Sequence, residues 1–185
     1  MKDTAATARN TPKIRSWEGI DMSLRESLEK LDSALWQNER VRFKALSTEA
    51  DLIYAAYDCQ LTDEQKELVN PAWFSIGRAY LSREDNYPCI IYNEKDERIG
   101  FINLCKWLGR GDAYSWSYFI DVRYQKLGYG RAAARLAIDL LRSADPEKQI
   151  KLSTEVSNTS AQGLYVSLGF EKLDETDGDD LVFGL

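Results

Sequence analysis

Tyr118-Phe-Ile-Asp-Val-Arg-Tyr-Gln-Lys-Leu-Gly-Tyr-Gly130 is the stretch that decides how this chain is read. An apolar, aromatic run comes first. A short polar and basic link follows, and then the pair Gly128-x-Gly130. Arg131-Ala-Ala-Ala-Arg-Leu-Ala-Ile-Asp-Leu-Leu comes next and favours helix throughout. A strand therefore runs into a glycine loop, and the loop opens a helix. The first amides of that helix have no internal partner and carry the positive end of its dipole. Glycines beside them let a ligand approach bare backbone. Such a loop is built to hold a phosphate. Which phosphate it holds is the functional question.

A nucleotide P-loop needs Gly-Lys-Ser/Thr after its second glycine, and here Gly130 is followed by Arg131-Ala132. A dinucleotide fingerprint is nearer, because Gly128-x-Gly130-x-x-Ala133 meets its bare pattern. That fingerprint starts directly at the end of a strand, however. Here Arg123, Gln125 and Lys126 lie between, and only one βαβ unit surrounds the loop. The third identity is Gln125-x-x-Gly128-x-Gly130. Together with Asn158-Thr-Ser-Ala161-Gln-Gly-Leu-Tyr165-Val-Ser-Leu-Gly169-Phe170, it resembles the paired acetyl-CoA motifs of the Gcn5-related N-acetyltransferases, the GNAT superfamily. The resemblance runs from about Val41 to the C-terminus.

The resemblance implies an α+β fold: a single domain over residues 41–185, with a mixed, mostly antiparallel sheet whose central strands splay apart between flanking helices. Residues 1–40 then form an N-terminal extension carrying an amphipathic helix. It also implies acetyl-CoA as co-substrate, with its pyrophosphate on the amides of Leu127, Gly128, Tyr129, Gly130 and Arg131. Gln125 belongs to that motif, and Arg123, Lys126 and Arg131 add positive charge. The pantetheine arm would lie between Tyr118–Val122 and Ser153–Val156, touching Phe119, Ile120 and Val122. A backbone amide near Ile120 would polarise the thioester carbonyl.

Asn158, Ala161 and Tyr165 fall at i, i+3 and i+7, on one helix face. Ala161 leaves room for the arm, and Asn158 either caps the helix or contacts the arm. Tyr165 would protonate the departing thiolate, since phenol and thiol both have high pKa values; its other reading is a tyrosine packed on Leu168. The amine attacks directly in a ternary complex, so no covalent nucleophile is required. Some relatives that act on polyamines place a carboxylate on the strand before the loop, where this chain has Trp116-Ser117. The base therefore stays open between Glu155, Asp121 and a water chain.

Composition narrows the chemistry. The 185 residues include no histidine, which removes His-based triads, His zinc sites and an imidazole base. The three cysteines, Cys59, Cys89 and Cys105, show no CxxC spacing and read as reduced, buried hydrophobes. No metal is expected. The net charge of −6 argues against nucleic acid and for small cationic partners. No apolar run is long enough for a membrane span, and the N-terminus lacks the apolar core of a signal peptide, so a cytoplasmic protein is expected. Residues 118–125 and the acidic ending Leu173-Asp-Glu-Thr-Asp-Gly-Asp-Asp-Leu-Val182 are similar to bacterial diamine and spermidine acetyltransferases. A polyamine or diamine is the implied acceptor, with a protein amine as an alternative. A non-catalytic acyl-CoA sensor is the alternative from another class. The resemblance also implies a homodimer.

Elsewhere the pattern predicts a helix over about Asp21–Asn38, from Leu24, Leu28, Leu31 and Leu35, after a loose polar lead-in. A strand is expected at Val41–Leu46, a helix from Ser47 to about Tyr57, and another piece at Leu61–Leu68. A helix should open with Pro71 at its first position, its Trp73, Phe74 and Tyr80 being either cleft or core. Strands at Pro88–Tyr92, Ile99–Trp107 and Ala113–Val122 form a meander, with a turn at Gly109-Arg-Gly-Asp. A helix to about Ser143 follows, then a strand at Ile150–Val156, a helix at Asn158–Leu168 closed by Gly169, and an antiparallel pair Phe170–Leu173 with Leu181–Leu185.

Overall fold

The computed structural model describes residues 22–109 and 111–185. The polar lead-in and Arg110 of the expected turn lie outside the described residues. Among the described residues, seven strands form two antiparallel sheets. Strands β1 (Val41–Ala45), β2 (Asn86–Asn93), β3 (Arg98–Lys106) and β4 (Tyr114–Ile120) pair in that order. Strands β5 (Lys151–Thr154), β6 (Glu171–Asp177) and β7 (Asp180–Gly184) pair in the order β5-β7-β6. The sheets meet at a parallel bridge, Tyr114 with Ile150, supported by a Tyr114 N–H bond to Gln149 O of 2.9 Å. Beyond that bridge β4 and β5 part, which is the splay expected from the motifs.

Helices cover both faces. On one side α1 (Leu24–Glu29) and α5 (Tyr129–Ala144) pack on a core that includes Val41, Phe43, Ile91, Leu104, Trp116 and Phe183. On the other, α2 (Glu49–Ile53), α3 (Asp63–Leu68) and α4 (Ala72–Leu81) flank a smaller core of Tyr54, Ala72, Ile90, Tyr92, Phe101 and Phe119. Cys89 and Ile91 point to the first core and Ile90 and Tyr92 to the second or its edge, the period-2 alternation of a strand buried on both faces. Helix α5 buries Ala133, Ala134, Leu136, Ala137, Leu140 and Leu141. Its alanines let the helix sit close to the sheet, and each buried leucine contributes roughly 1.5–3 kcal/mol.

Several boundaries differ from the sequence reading. The long leucine-patterned helix is interrupted: α1 ends at Glu29, and Asp32 caps a separate 3-10 turn, Ser33–Trp36. Leu24 and Leu28 are buried in this chain's own core, while Leu35 is exposed. Helix α2 opens on a Thr48–Asp51 capping box and runs into a π turn, Tyr54–Asp58. Pro71 is the N-cap of α4 rather than its first residue. Strand β6 extends to Asp177, well past Leu173, because backbone pairing with β7 carries its polar residues. Gly169, at φ 95°, closes α6 (Thr159–Ser167) as expected.

Candidate active site

The divergence of β4 and β5 opens a cleft of about 940 Å³. Its walls are β4, the glycine loop and the start of α5, the end of β5 with α6, and the α3–α4 side. At the loop, Gly128 is the N-cap of α5 at φ 88°, a backbone conformation that disfavours any side chain. Lys126 also adopts positive φ, 60°. Ala132 N–H is the first in the helix to find an acceptor, Gly128 O at 3.1 Å. The amides of Tyr129, Gly130 and Arg131 precede it and have no helical carbonyl to meet. Gly130 is not forced by the protein itself. A Cβ there would meet Tyr118 Oη at 3.5 Å and Ile120 Cγ1 at 3.9 Å, ordinary contacts that fall inside the splay. Tyr118 Oη donates to Gly130 O at 3.3 Å and ties the helix mouth to β4.

The named strand residues divide by direction. Phe119 turns its ring away from α5 to stack on Phe101, centroids 5.6 Å apart. Asp121 N–H reaches back to Ile99 O at 2.9 Å. Strand alternation therefore turns the N–H of Ile120 the other way, into the gap. The Val122 amide is taken by Gln60 O at 2.8 Å. Tyr129 buries its ring, with its hydroxyl donating to Glu94 Oε1 at 3.0 Å, and brings only backbone to the loop. Arg131 donates to Ser167 Oγ at 2.7 Å, joining α5 to α6. Leu127 is exposed at the loop tip, where its carbonyl accepts from Arg40 Nη2 at 3.1 Å. Arg40 also lies over the Tyr129 ring, 4.8 Å from its centroid. No motif in the sequence pointed to Arg40.

Asp121 is fully buried. Its carboxylate accepts from Gln60 N–H (3.1 Å), Arg123 N–H (2.9 Å), Arg123 Nε (2.9 Å) and Arg123 Nη2 (2.6 Å). Burial pushes its carboxyl up, but the Arg123 bonds and the backbone donors outweigh that and hold it below the usual carboxylate range. Gln125 Nε2 donates to Ile120 O at 2.8 Å and to Gln65 Oε1 at 2.6 Å. The loop is thus stapled to the segment leading into α3, a contact between positions about sixty apart that local patterning does not encode.

Across the cleft, Asn158 Oδ1 accepts from Ala161 N–H at 3.0 Å and so caps α6. Tyr165 sits between Phe170 and Phe183, ring centroids 5.8 and 5.6 Å away, and its hydroxyl has no hydrogen-bond partner among the described residues. Burial pushes its phenol up to about 12. Glu155 is exposed at the cleft lip and accepts from Ser157 Oγ at 3.1 Å. Asp177 and Asp180, a cross-strand pair in the β6–β7 hairpin, line the same lip. On the opposite wall Ser117 Oγ and Ser75 Oγ lie 3.3 Å apart. Phe74 lines the cleft, whereas Trp73 and Tyr80 of the same helix face outward. The three thiols form no disulfide, and burial pushes that of Cys105 up to about 11. Among the described residues no cluster could hold a metal ion, and no helix is long and apolar enough to cross a membrane.

A sequence model of the acetyltransferase (GNAT) family matches residues 50–170, which include both motifs and most of the cleft. The chain belongs to the GNAT acetyltransferase family. Solved structures share its fold. An acetyltransferase from Agrobacterium tumefaciens str. C58 is 16% identical over 80% of this chain and 92% of its own, with a TM-score of 0.62. Spermidine N-acetyltransferase from Vibrio cholerae, solved with CoA and spermine, is 16% identical over 80% of this chain and 94% of its own, with a TM-score of 0.61. An aminoglycoside acetyltransferase in complex with coenzyme A is 22% identical over 78% of this chain and 92% of its own, with a TM-score of 0.60. A search of curated proteins by sequence returns no match. At these identities the structural likeness establishes the GNAT fold, and the acceptor has to be argued from this chain's own residues.

Proposed function

We propose that this GNAT protein transfers the acetyl group of acetyl-CoA to a primary amine of a small cationic acceptor, of which diamines and polyamines are the first class to test. The observation that carries the reading is the placement of the unpaired Tyr165 phenol in the wall of the cleft whose other end is the α5 loop. The amides of residues 127–131 would hold the pyrophosphate, with Lys126 and Arg131 adding charge. The pantetheine would lie in the splay, and Ile120 N–H would polarise the thioester carbonyl. Asn158 and Ala161 would border the arm. The amine attacks the carbonyl carbon, the C–S bond breaks, and Tyr165 gives its proton to the leaving sulfur. A tyrosine held near 12 stays protonated and so remains a donor.

Asp121 serves here as a brace for the loop rather than as a base, because all its acceptor capacity is occupied. The amine's proton leaves through water toward Glu155 at the lip. That lip, with Asp177 and Asp180, would attract a cation.

Tyr165→Phe is expected to lower kcat by about 100-fold while leaving the Kd for CoA within about twofold. Full activity in that variant overturns the acid assignment. Acetylation of putrescine and spermidine, measured beside an aminoglycoside and a lysine peptide, tests the acceptor class. Coenzyme binding without turnover of any amine would favour the acyl-CoA sensor, the reading to which the absence of a carboxylate at Trp116-Ser117 lends support.

A further inference from the structure

Arg40 reaches the glycine loop from 87 positions before Leu127. Its own turn fixes it there. Asn38 Oδ1 accepts from the N–H groups of Arg40 and Val41, each at 3.0 Å, and Asn38 N–H donates to Val41 O at 2.9 Å. The same turn holds the mouth of α5 at two points. Asn38 Nδ2 donates to Ala132 O at 2.9 Å, and Arg40 Nη2 donates to Leu127 O at 3.1 Å. The guanidinium lies over the Tyr129 ring, which is buried and tied through its hydroxyl to Glu94. A Cβ on Gly128 would stand 4.0 Å from Arg40 Nη1, so the arginine also flanks the glycine.

Leu127 stands between two residues of positive φ, Lys126 at 60° and Gly128 at 88°. The peptide joining Leu127 to Gly128 can turn over at little cost, because glycine has no Cβ to oppose either orientation. Which way it faces decides what the loop offers a ligand. The peptide is planar and trans, so its C=O and N–H point in opposite directions. Gly128 lines the cleft, whereas Leu127 and Arg40 lie outside its walls. With the carbonyl held by Arg40, the Gly128 N–H is aimed toward the cleft, and it has no acceptor among the described residues. Turned over, the same peptide would set a carbonyl oxygen against the diphosphate and replace an attraction with a repulsion.

We propose that Arg40 is a positioning residue for the coenzyme. It holds the Leu127 carbonyl outward, so that Gly128 N–H joins the amides of Tyr129, Gly130 and Arg131 in facing the diphosphate. A loop already held in its binding form spends less of its affinity on ordering. The inference rests on the coenzyme reading above and adds to that loop a residue from outside both motifs.

Calorimetric titration of CoA into the full chain tests it. Arg40→Ala is expected to raise the Kd about tenfold, close to 1.4 kcal/mol. The melting temperature should stay within about 2 °C, because the residue is exposed. Arg40→Lys, which keeps a donor without the fork, should restore part of the affinity. The ratio of the two Kd values, parent to Arg40→Ala, should persist in about 0.5 M salt, where a cation acting through space is screened. A ratio that collapses in salt would make Arg40 a counter-charge and overturn the positioning role. The second readout uses S-acetylpantetheine, a thioester without phosphates. Arg40→Ala should lower kcat/KM about tenfold for acetyl-CoA and less than about twofold for S-acetylpantetheine. An equal loss on both thioesters overturns the inference, since a general disturbance of the fold would act on both. Should Arg40→Ala fail to fold, Arg40→Gln, which keeps much of the stem, carries the same comparisons.

The failures are distinguishable. A parent that binds no CoA overturns the coenzyme reading and this inference with it. A parent and an Arg40→Ala variant that bind CoA equally well overturn this inference alone. Arg40-dependent CoA binding without turnover of any amine would sustain it and sink the acetyl-transfer proposal.

Discussion

The two arms of the splay end in carboxylates that live in opposite circumstances. Where β4 stops, Asp121 is fully buried, and Gln60 and Arg123 occupy it with four bonds. Where β5 stops, Glu155 is exposed and accepts from one serine hydroxyl two residues away. One arm is locked to the chain around it. The other is left open to solvent and ligand. On the proposed reading, the difference matches what each arm would do. Hydrogen bonds to a preorganised backbone help a coenzyme only if that backbone does not relax away. A lip that gathers cations needs charge and access, and little rigidity.

The largest expected effect comes from unlocking the rigid arm. Asp121→Ala strips the acceptor from Gln60 and Arg123 and should cost about 3 kcal/mol. Arg123 is 52% exposed and can turn to water, which keeps the cost toward the low end for a buried pair. For a chain of this size the melting temperature should fall by roughly 6–12 °C. A loss under about 1 kcal/mol would show that the contrast between the arms is one of appearance. The pH dependence has a definite sign. A carboxyl held below its unfolded value stabilises the fold above that value, about 3.9, and the contribution is lost as pH falls through the lowered one. The gap in stability between the parent and Asp121→Asn should be constant above about pH 5 and shrink below about pH 4.

The second effect separates fold from ligand at the loop between the arms. Gly130 is helical, and its added Cβ would find only ordinary contacts in the protein. Gly130→Ala should therefore leave stability unchanged or raise it by up to about 1 kcal/mol. The same methyl projects toward Tyr118 and Ile120, into the space proposed for the pantetheine. Acetyl-CoA affinity should fall by about tenfold or more in calorimetry. Loss of both properties would mean that the glycine serves packing alone. The third effect belongs to the open arm. Glu155→Gln should stay within about 0.5 kcal/mol in stability, as surface changes usually do. It should lower kcat/KM for putrescine by about threefold to tenfold, and added salt should mask the loss.

This contrast also marks what could be read from the residues in order. The glycine loop, α5 and the capped, glycine-closed α6 were legible because each is a local device: Gly128 at positive φ, an alanine-rich helix former, Asn158 three residues before Ala161, and Gly169 past the last turn. The splay was legible only through the resemblance carried by two motifs, since nothing in β4 or β5 alone says that they part. The lock on Asp121 was not legible. Its partner Gln60 is 61 positions away, and an aspartate at the end of a strand looks the same whether it caps a turn or faces a substrate. The interrupted first helix failed for a related reason. Its leucine spacing suits one continuous helix, but Asp32 offers a side-chain cap that restarts the chain as a 3-10 turn. The part of strand β6 beyond Leu173 escaped because Asp-Glu-Thr-Asp carries no apolar residue, and its pairing with β7 is a backbone matter.

The smallest effect is the one that joins stability to function on the open arm. Asp180 faces Asp177 across the β6–β7 hairpin, whose turn is opened by Gly178 at φ 61°. Burial first, and then the negative charges of Glu155, Asp177 and Asp179, push its carboxyl up. A carboxyl raised in the folded state opposes folding while it is ionised, and the penalty is relieved as pH falls through the raised value. Asp180→Asn should therefore gain a few tenths of a kcal/mol at pH 7, and the gain should vanish at low pH, where the parent's carboxyl is protonated as well. The same change removes one charge from the lip and should weaken capture of a cationic amine. A variant that is steadier and slower would mean that crowding of like charge is kept for the ligand, which relieves it on binding. A variant that is steadier and equally fast would place the acceptor's cation elsewhere, and the open arm would then be open for some other reason.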